Sequence, residues 1–147
     1  MKYEGIVKNI APCGLDCSRC ADYEDGEIKV LSSKLKSLLS GYKRVAQLRE
    51  AISSSYVGYD AFETMLDQFA GASCGGCRSE HVKCPVQCQA KTCHKEKKVD
   101  FCFQCDEFPC QGEFEETIKK RWLDNNKRMD EKGVEEYYIQ ESQKPRY

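Results

Sequence analysis

Eleven cysteines in a chain of 147 residues constrain what this sequence can fold into more than any other feature. They are spaced Cys13-x3-Cys17-x2-Cys20, then Cys74-x2-Cys77-x6-Cys84-x3-Cys88-x4-Cys93-x8-Cys102-x2-Cys105-x4-Cys110. An odd number leaves one thiol over in any disulfide framework. The stretch from Met1 to Cys13 lacks the apolar run and small-residue cleavage site of a secretory signal, and no run approaches 18 apolar residues. The ending Lys144-Pro145-Arg146-Tyr147 matches no lipidation or retention signal. A cytoplasmic protein without membrane attachment is therefore expected, and in a reducing compartment clustered thiols bind metal rather than persist as structural disulfides.

At 16.8 kDa the chain is the size of one domain, which excludes large two-domain enzymes and full α/β barrels. The sequence divides into an N-terminal cysteine triplet (1–26), a cysteine-free helical insert (27–73), a cysteine-rich metal-binding segment (74–112) and C-terminal helices (113–147). In the insert Leu31, Leu35, Leu38, Tyr42, Val45, Leu48 and Ile52 recur at steps of three and four, which predicts an amphipathic helix with a break possible at Gly41. Phe62, Met65, Leu66 and Phe69 predict a second helix, with Asp60 placed to cap its start and Gly71 its end. Phe114, Ile118, Trp122 and Met129 predict a C-terminal helix ending before Gly133, and Val134, Tyr137 and Tyr138 a last short one. The segment between the cysteines of the second group shows neither apolar period, so loops are expected, with a helical turn after Pro85. The fold class is thus small and mainly α: a helical hairpin and a C-terminal helix around irregular, metal-stapled, cysteine-rich loops.

Metal ligation follows from energetics. About 40 residues bury too little apolar surface to offset their own ordering entropy, whereas a structural zinc site contributes on the order of 10 to 16 kcal/mol at neutral pH. Two residues between ligands let the backbone turn so that both sulfurs reach one ion, and Gly75 and Gly76 ease that turn between Cys74 and Cys77. Cys84 and Cys88 would share a helical face if Pro85 opened a helix. The simplest parse assigns Cys74, Cys77, Cys84 and Cys88 to one ion and Cys93, Cys102, Cys105 and Cys110 to another. Cys13, Cys17 and Cys20 then lack a fourth ligand. His81, His94 or a cysteine shared across the fold could complete the triplet, and spacing alone does not choose. Zinc is the expected metal, with an iron–sulfur cluster on the triplet as the alternative.

Other uses of these cysteines fit less well. The triplet has the spacing of a radical S-adenosylmethionine cluster motif, but the chain is too short for the barrel such enzymes need. No βαβ unit surrounds a cysteine pair, as a thioredoxin-like centre requires. An open-site zinc enzyme ranks last, because no clear acid or base accompanies the motifs.

Charge argues against nucleic acid as partner. Lys plus Arg number 23 against 24 Asp plus Glu, a net charge of −1, so no overall basic excess exists. Arg78, Lys83, Lys91, Lys95, Lys97 and Lys98 form a local basic cluster. Four-thiolate zinc sites carry a formal −2 each, which these side chains would neutralise. The stretch 100–116 is acidic without one basic residue. The expected partner is an unspecified protein or small ligand.

Cys13-Gly14-Leu15-Asp16-Cys17-Ser18-Arg19-Cys20, Cys74-Gly-Gly-Cys77 and Cys102-Phe-Gln-Cys105-Asp-Glu-Phe-Pro109-Cys110 together resemble the prokaryotic cysteine-rich family known as domain of unknown function 3795. The resemblance runs from about Ala11 to Phe114. It implies a zinc-binding or other metal-binding protein, brings no established reaction, and matches all eleven cysteines to family cysteine positions. Neither His81 nor His94 falls in a matching motif.

Overall fold

A computed structural model describes residues 1–147. Seven helices follow one another: α1 (Tyr3–Asn9), α2 (Glu27–Leu38), α3 (Lys43–Glu50), α4 (Tyr59–Ala70), α5 (Ala90–Lys97), α6 (Glu116–Lys132) and α7 (Val134–Ser142). No strand forms. Three isolated bridges, Ile10 with Asp16, Tyr23 with Cys74, and Cys88 with Phe114, hold extended segments together.

The interior is thin. Only 23 of 147 residues are buried, and the two clusters of contacting buried apolar residues are small. In the first, α1 lays Ile6 and Ile10 against Phe101, Met129 of α6, and Val134 and Tyr137 of α7. In the second, Trp122 packs with Ala11 and Cys13, and cysteines of both later segments line its edge. Phe114 stacks on the indole at 4.4 Å and Phe108 meets it edge-on at 5.2 Å. Full burial of such side chains contributes about 1.5–3 kcal/mol each, so α6 organises much of what hydrophobic stability the chain has.

Polar clamps supplement this core. Asn126, wholly buried, accepts the Phe103 N–H at 2.9 Å and donates to the carbonyls of Trp122 and Pro12. Arg78 donates to the carbonyls of Val7 (2.7 Å), Ile10 (3.2 Å) and Asp100 and lies over the Phe101 ring. Each clamp ties chain segments far apart in sequence.

The insert departs from its expected form. Gly41 takes φ +79° and separates α2 from α3, because a left-handed residue cannot continue a helix. Helix α4 ends at Gly71 as the sequence suggests, but Gly58 occupies its N-cap and Asp60 lies inside its first turn. There Asp60 pairs with Lys43 at 3.0 Å. The apolar face of α2 and α3 stays largely uncovered: Leu38 is 74 % and Leu48 72 % exposed, and Ile52 87 %.

Two further differences lie near the cysteines. No helix opens at Pro85; α5 starts only at Ala90. Cys88 is instead bridged to Phe114 by the Gln89 N–H to the Glu113 carbonyl and the Glu115 N–H to the Gln87 carbonyl, both 2.9 Å. Cys84 and Cys88 therefore do not share a helical face. Phe114 belongs to the same bridge rather than to α6. Helix α1 was not anticipated from the sequence.

Candidate metal centre

The N-terminal triplet sits on a tight loop. Ile10 and Asp16 bridge, the Ala11 N–H reaches the Leu15 carbonyl at 2.8 Å, and the Gly14 N–H the Ala11 carbonyl at 2.8 Å. Gly14 has φ +84°, and a Cβ there would fall 2.4 Å from Asn125 Cβ, so both backbone and packing demand glycine. Its carbonyl accepts the buried Tyr137 hydroxyl at 2.6 Å. The Cys17 N–H bonds the Asn9 carbonyl and the Cys20 N–H the Cys17 carbonyl, which completes the turn that carries the three cysteines.

Cysteines of the second group meet this loop directly. Tyr23 bridges to Cys74, and the Cys74 N–H donates to the Asp22 carbonyl at 2.8 Å. Gly76, at φ +83°, lets the Cys74–Cys77 turn close, as the spacing requires. As a result Cys13, Cys17, Cys20, Cys74, Cys77, Cys84 and Cys88 all line one cavity of about 450 Å³. The Sγ atoms of Cys17 and Cys77 lie 3.9 Å apart. That matches the roughly 3.8 Å edge of a tetrahedron of sulfurs each about 2.3 Å from a zinc ion, and is nearly twice a disulfide bond length.

The remaining four, Cys93, Cys102, Cys105 and Cys110, line a separate cavity of about 30 Å³. His94 borders it as well, and neither histidine borders the larger cavity. The His94 Nδ1 faces the Ala90 carbonyl at 2.7 Å, which makes Nδ1 the protonated nitrogen and leaves the lone pair on Nε2. In each cavity the sulfurs face a shared space rather than a single point: no three Cys, His, Asp or Glu side chains converge closely enough to hold an ion as they stand.

The thiols differ in acidity for identifiable reasons. A hydrogen bond from Cys77 brings Cys17 down to about 7, and one from Cys13 brings Cys88 down to about 7. Cys13 and Cys77 are correspondingly pushed up, since each keeps the proton its partner releases and is buried besides. Burial raises Cys102 to about 11, opposed by the Trp122 indole N–H. That N–H is buried without a hydrogen-bond partner. A buried donor beside a cysteine is satisfied when the sulfur becomes an anionic ligand, and Cys102 packs against the Trp122 cluster, so the donor set fits a thiolate-bound metal at this position.

Several side chains that support the site carry no motif signal. Asp16, buried, accepts the Ser18 hydroxyl at 2.6 Å and Arg19 Nε at 2.8 Å. Arg19 in turn donates to the carbonyls of Glu141 and Lys144. The Tyr147 hydroxyl accepts the Ala21 N–H at 2.8 Å and lies 3.6 Å from Cys20 Sγ. Asp16 and Arg19 stand inside the first cysteine motif, so position was the only available hint. The basic cluster is largely engaged: Lys91 Nζ donates to the carbonyls of Cys84 and Val86, Lys95 pairs with Glu80 and Lys97 with Glu107.

No helix of the structure is long and apolar enough to cross a membrane. Neither a curated protein nor a solved structure matches the chain. A family model described as a protein of unknown function, DUF3795, matches residues 9–115, a span that contains every cysteine and ends just before α6. With more than half its length so matched, the chain belongs to the DUF3795 family.

Proposed function

We propose that this protein binds zinc through its cysteines, and that the zinc–thiolate sites hold its irregular half in a shape that serves a protein or small-ligand partner. The observation that carries the proposal is the sorting of all eleven thiols into two facing sets, even though the cysteine-free stretch from Ala21 to Ser73 separates the triplet from the rest. Cys93, Cys102, Cys105 and Cys110, with the small cavity between them, suit a single structural ion. Zinc there supplies no reaction; it links 93–110 to the Trp122 cluster. The exposed Leu38, Leu48 and Ile52 on the insert support a protein partner, since large apolar side chains left to solvent gain from being covered. The engaged lysines favour it over nucleic acid.

An iron–sulfur centre is the second reading, favoured by the size of the seven-cysteine cavity, which exceeds what one ion fills. Oxygen-free purification followed by metal analysis separates the two. The expected product is colourless, contains zinc, and protects most thiols from a thiol reagent until a chelator is added. Brown protein with stoichiometric iron and labile sulfide would replace zinc by a cluster, and fewer than six protected thiols would remove the stapling role.

A further inference from the structure

We infer that the larger cavity is a two-metal centre in which one cysteine sulfur bridges two zinc ions, giving three zinc ions per chain. The inference rests on the zinc reading above and goes beyond it in number and connectivity.

Seven thiols on one cavity do not suit one ion. A four-coordinate zinc uses four and would strand three thiols on the same wall. Two four-coordinate ions offer eight positions, and seven sulfurs fill them when one is shared. The same count explains why the chain has an odd number of cysteines: the four-thiol site closes by itself, and the shared sulfur makes up the difference in the other. A four-iron cluster held by four cysteines would leave three of the seven unused.

Volume and charge agree. The larger cavity is about 450 Å³ against about 30 Å³ for the four-cysteine one, although both are walled by the same ligand type. Seven thiolates around two divalent ions carry a formal −3, one more negative charge than a four-thiolate site. Lys91, Arg121 and Arg146 stand on the wall of this cavity, opposed by Asp22 alone. Lys91 is fixed by the Cys84 and Val86 carbonyls at 2.7 and 2.5 Å, and Arg146 by the Asp16 carbonyl at 3.1 Å. No acidic side chain pairs with either one, so their charge faces the sulfurs. The Cys17 and Cys77 sulfurs, 3.9 Å apart, already hold the separation of two ligands on one ion. Loading displaces the protons still on these thiols to solvent; no redox step is involved.

The test is mass spectrometry under non-denaturing conditions on the zinc-loaded full chain, followed by replacement with cadmium-113 and cadmium NMR. Three ions per chain are expected. Of three cadmium resonances, two should show mutual scalar coupling through the shared sulfur and the third should be isolated. In Cys105→Ser the isolated resonance should disappear while the coupled pair stays. Two ions per chain with three reactive thiols would overturn the shared-sulfur centre and leave the zinc reading standing. Three uncoupled resonances would overturn it in the same way. Iron with labile sulfide, or full thiol reactivity without a chelator, would overturn both.

Discussion

Replacing Trp122 by Phe separates two roles that this side chain combines. The indole is 2 % exposed, stacked on Phe114 and edge-on to Phe108, and its N–H, which favours the Cys102 thiolate, has no hydrogen-bond partner as it stands. Phe keeps an aromatic ring between those neighbours and removes the donor. The smaller ring leaves a void that costs about 1–3 kcal/mol with or without metal, by analogy with other large-to-small core changes. The lost N–H to sulfur contact acts differently in the two states. Without metal, Cys102 is raised to about 11 and is a neutral thiol at pH 7, so the N–H gains little from it. With zinc bound the sulfur is a thiolate, and a hydrogen bond to a charged acceptor is worth about 1.5–3 kcal/mol. Zinc affinity at the four-cysteine site should therefore fall about 10- to 100-fold, the usual scale for losing a group that supports a ligand. Competition against a chromophoric chelator measures the affinity, and urea denaturation of the metal-free variant measures the packing cost separately. An unchanged affinity beside a destabilised metal-free protein would show that the indole serves packing alone.

Other expectations concern backbone, acidity and surface. Gly14→Ala should cost at least about 1–2 kcal/mol from the left-handed backbone alone, and more from the clash with Asn125; a melting curve within experimental error of wild type would refute the stated need for glycine. In the metal-free protein Cys17 and Cys88, lowered to about 7, should be alkylated first at pH 7.5, as peptide mapping would show, and their advantage should vanish as pH falls below 7. Stability follows the same groups. Cys17 and Cys88 lie below their ordinary 9.0, so their contribution is complete above 9 and is lost as pH falls through 7. Cys13 and Cys77 are raised, so theirs is complete below 9 and is lost at higher pH. Metal-free stability should thus peak near pH 9; a monotonic profile from 7 to 10 would exclude proton sharing. Leu38→Glu and Leu48→Glu should each change stability by less than about 0.5 kcal/mol, since both side chains face solvent, while any partner held by that face should be released in a pull-down.

Local patterns were legible wherever they reported backbone demands. Gly41, Gly71 and Gly133 end helices as their positions suggest, and the apolar spacing of Ile118, Trp122 and Met129 gives α6 and its buried side. Tyr3, Ile6, Val7 and Ile10 carry the same spacing for α1, but over so short a run that only burial against Phe101 and Tyr137 distinguishes a helix from a loop. What periodicity could not supply was a long-range partner. Pro85 is well placed to open a helix, but the chain there instead enters the bridge of Cys88 with Phe114, and nothing local announces that pairing. The amphipathic spacing of the insert likewise predicts an apolar face without saying whether this chain covers it. At the cysteines, spacing grouped Cys93 with Cys102, Cys105 and Cys110, which line one cavity. It did not reveal that the triplet faces Cys74, Cys77, Cys84 and Cys88.

The joining of the triplet to the later cysteines raises an entropic problem that the fold answers without metal. Closing a loop across residues 21–73 grows only logarithmically more costly with length, so the helical insert adds little to the cost. What must be overcome is the ordering of the irregular segments on either side, and a core of this thinness does little of that. Hydrogen bonds from buried polar side chains make up part of the difference. Asn126 binds Pro12 next to Cys13 and Phe103 next to Cys102; Arg78, next to Cys77, binds Val7, Ile10 and Asp100; and the Cys102 N–H itself reaches the Pro12 carbonyl at 3.1 Å. Every one of these contacts joins a residue beside one cysteine to a segment distant from it in sequence. They bring the sulfurs to face shared spaces while stopping short of convergence. An ion bound as proposed would displace the thiol protons and draw the sulfurs together, so that ordering by metal would act on contacts already ordered by side chains.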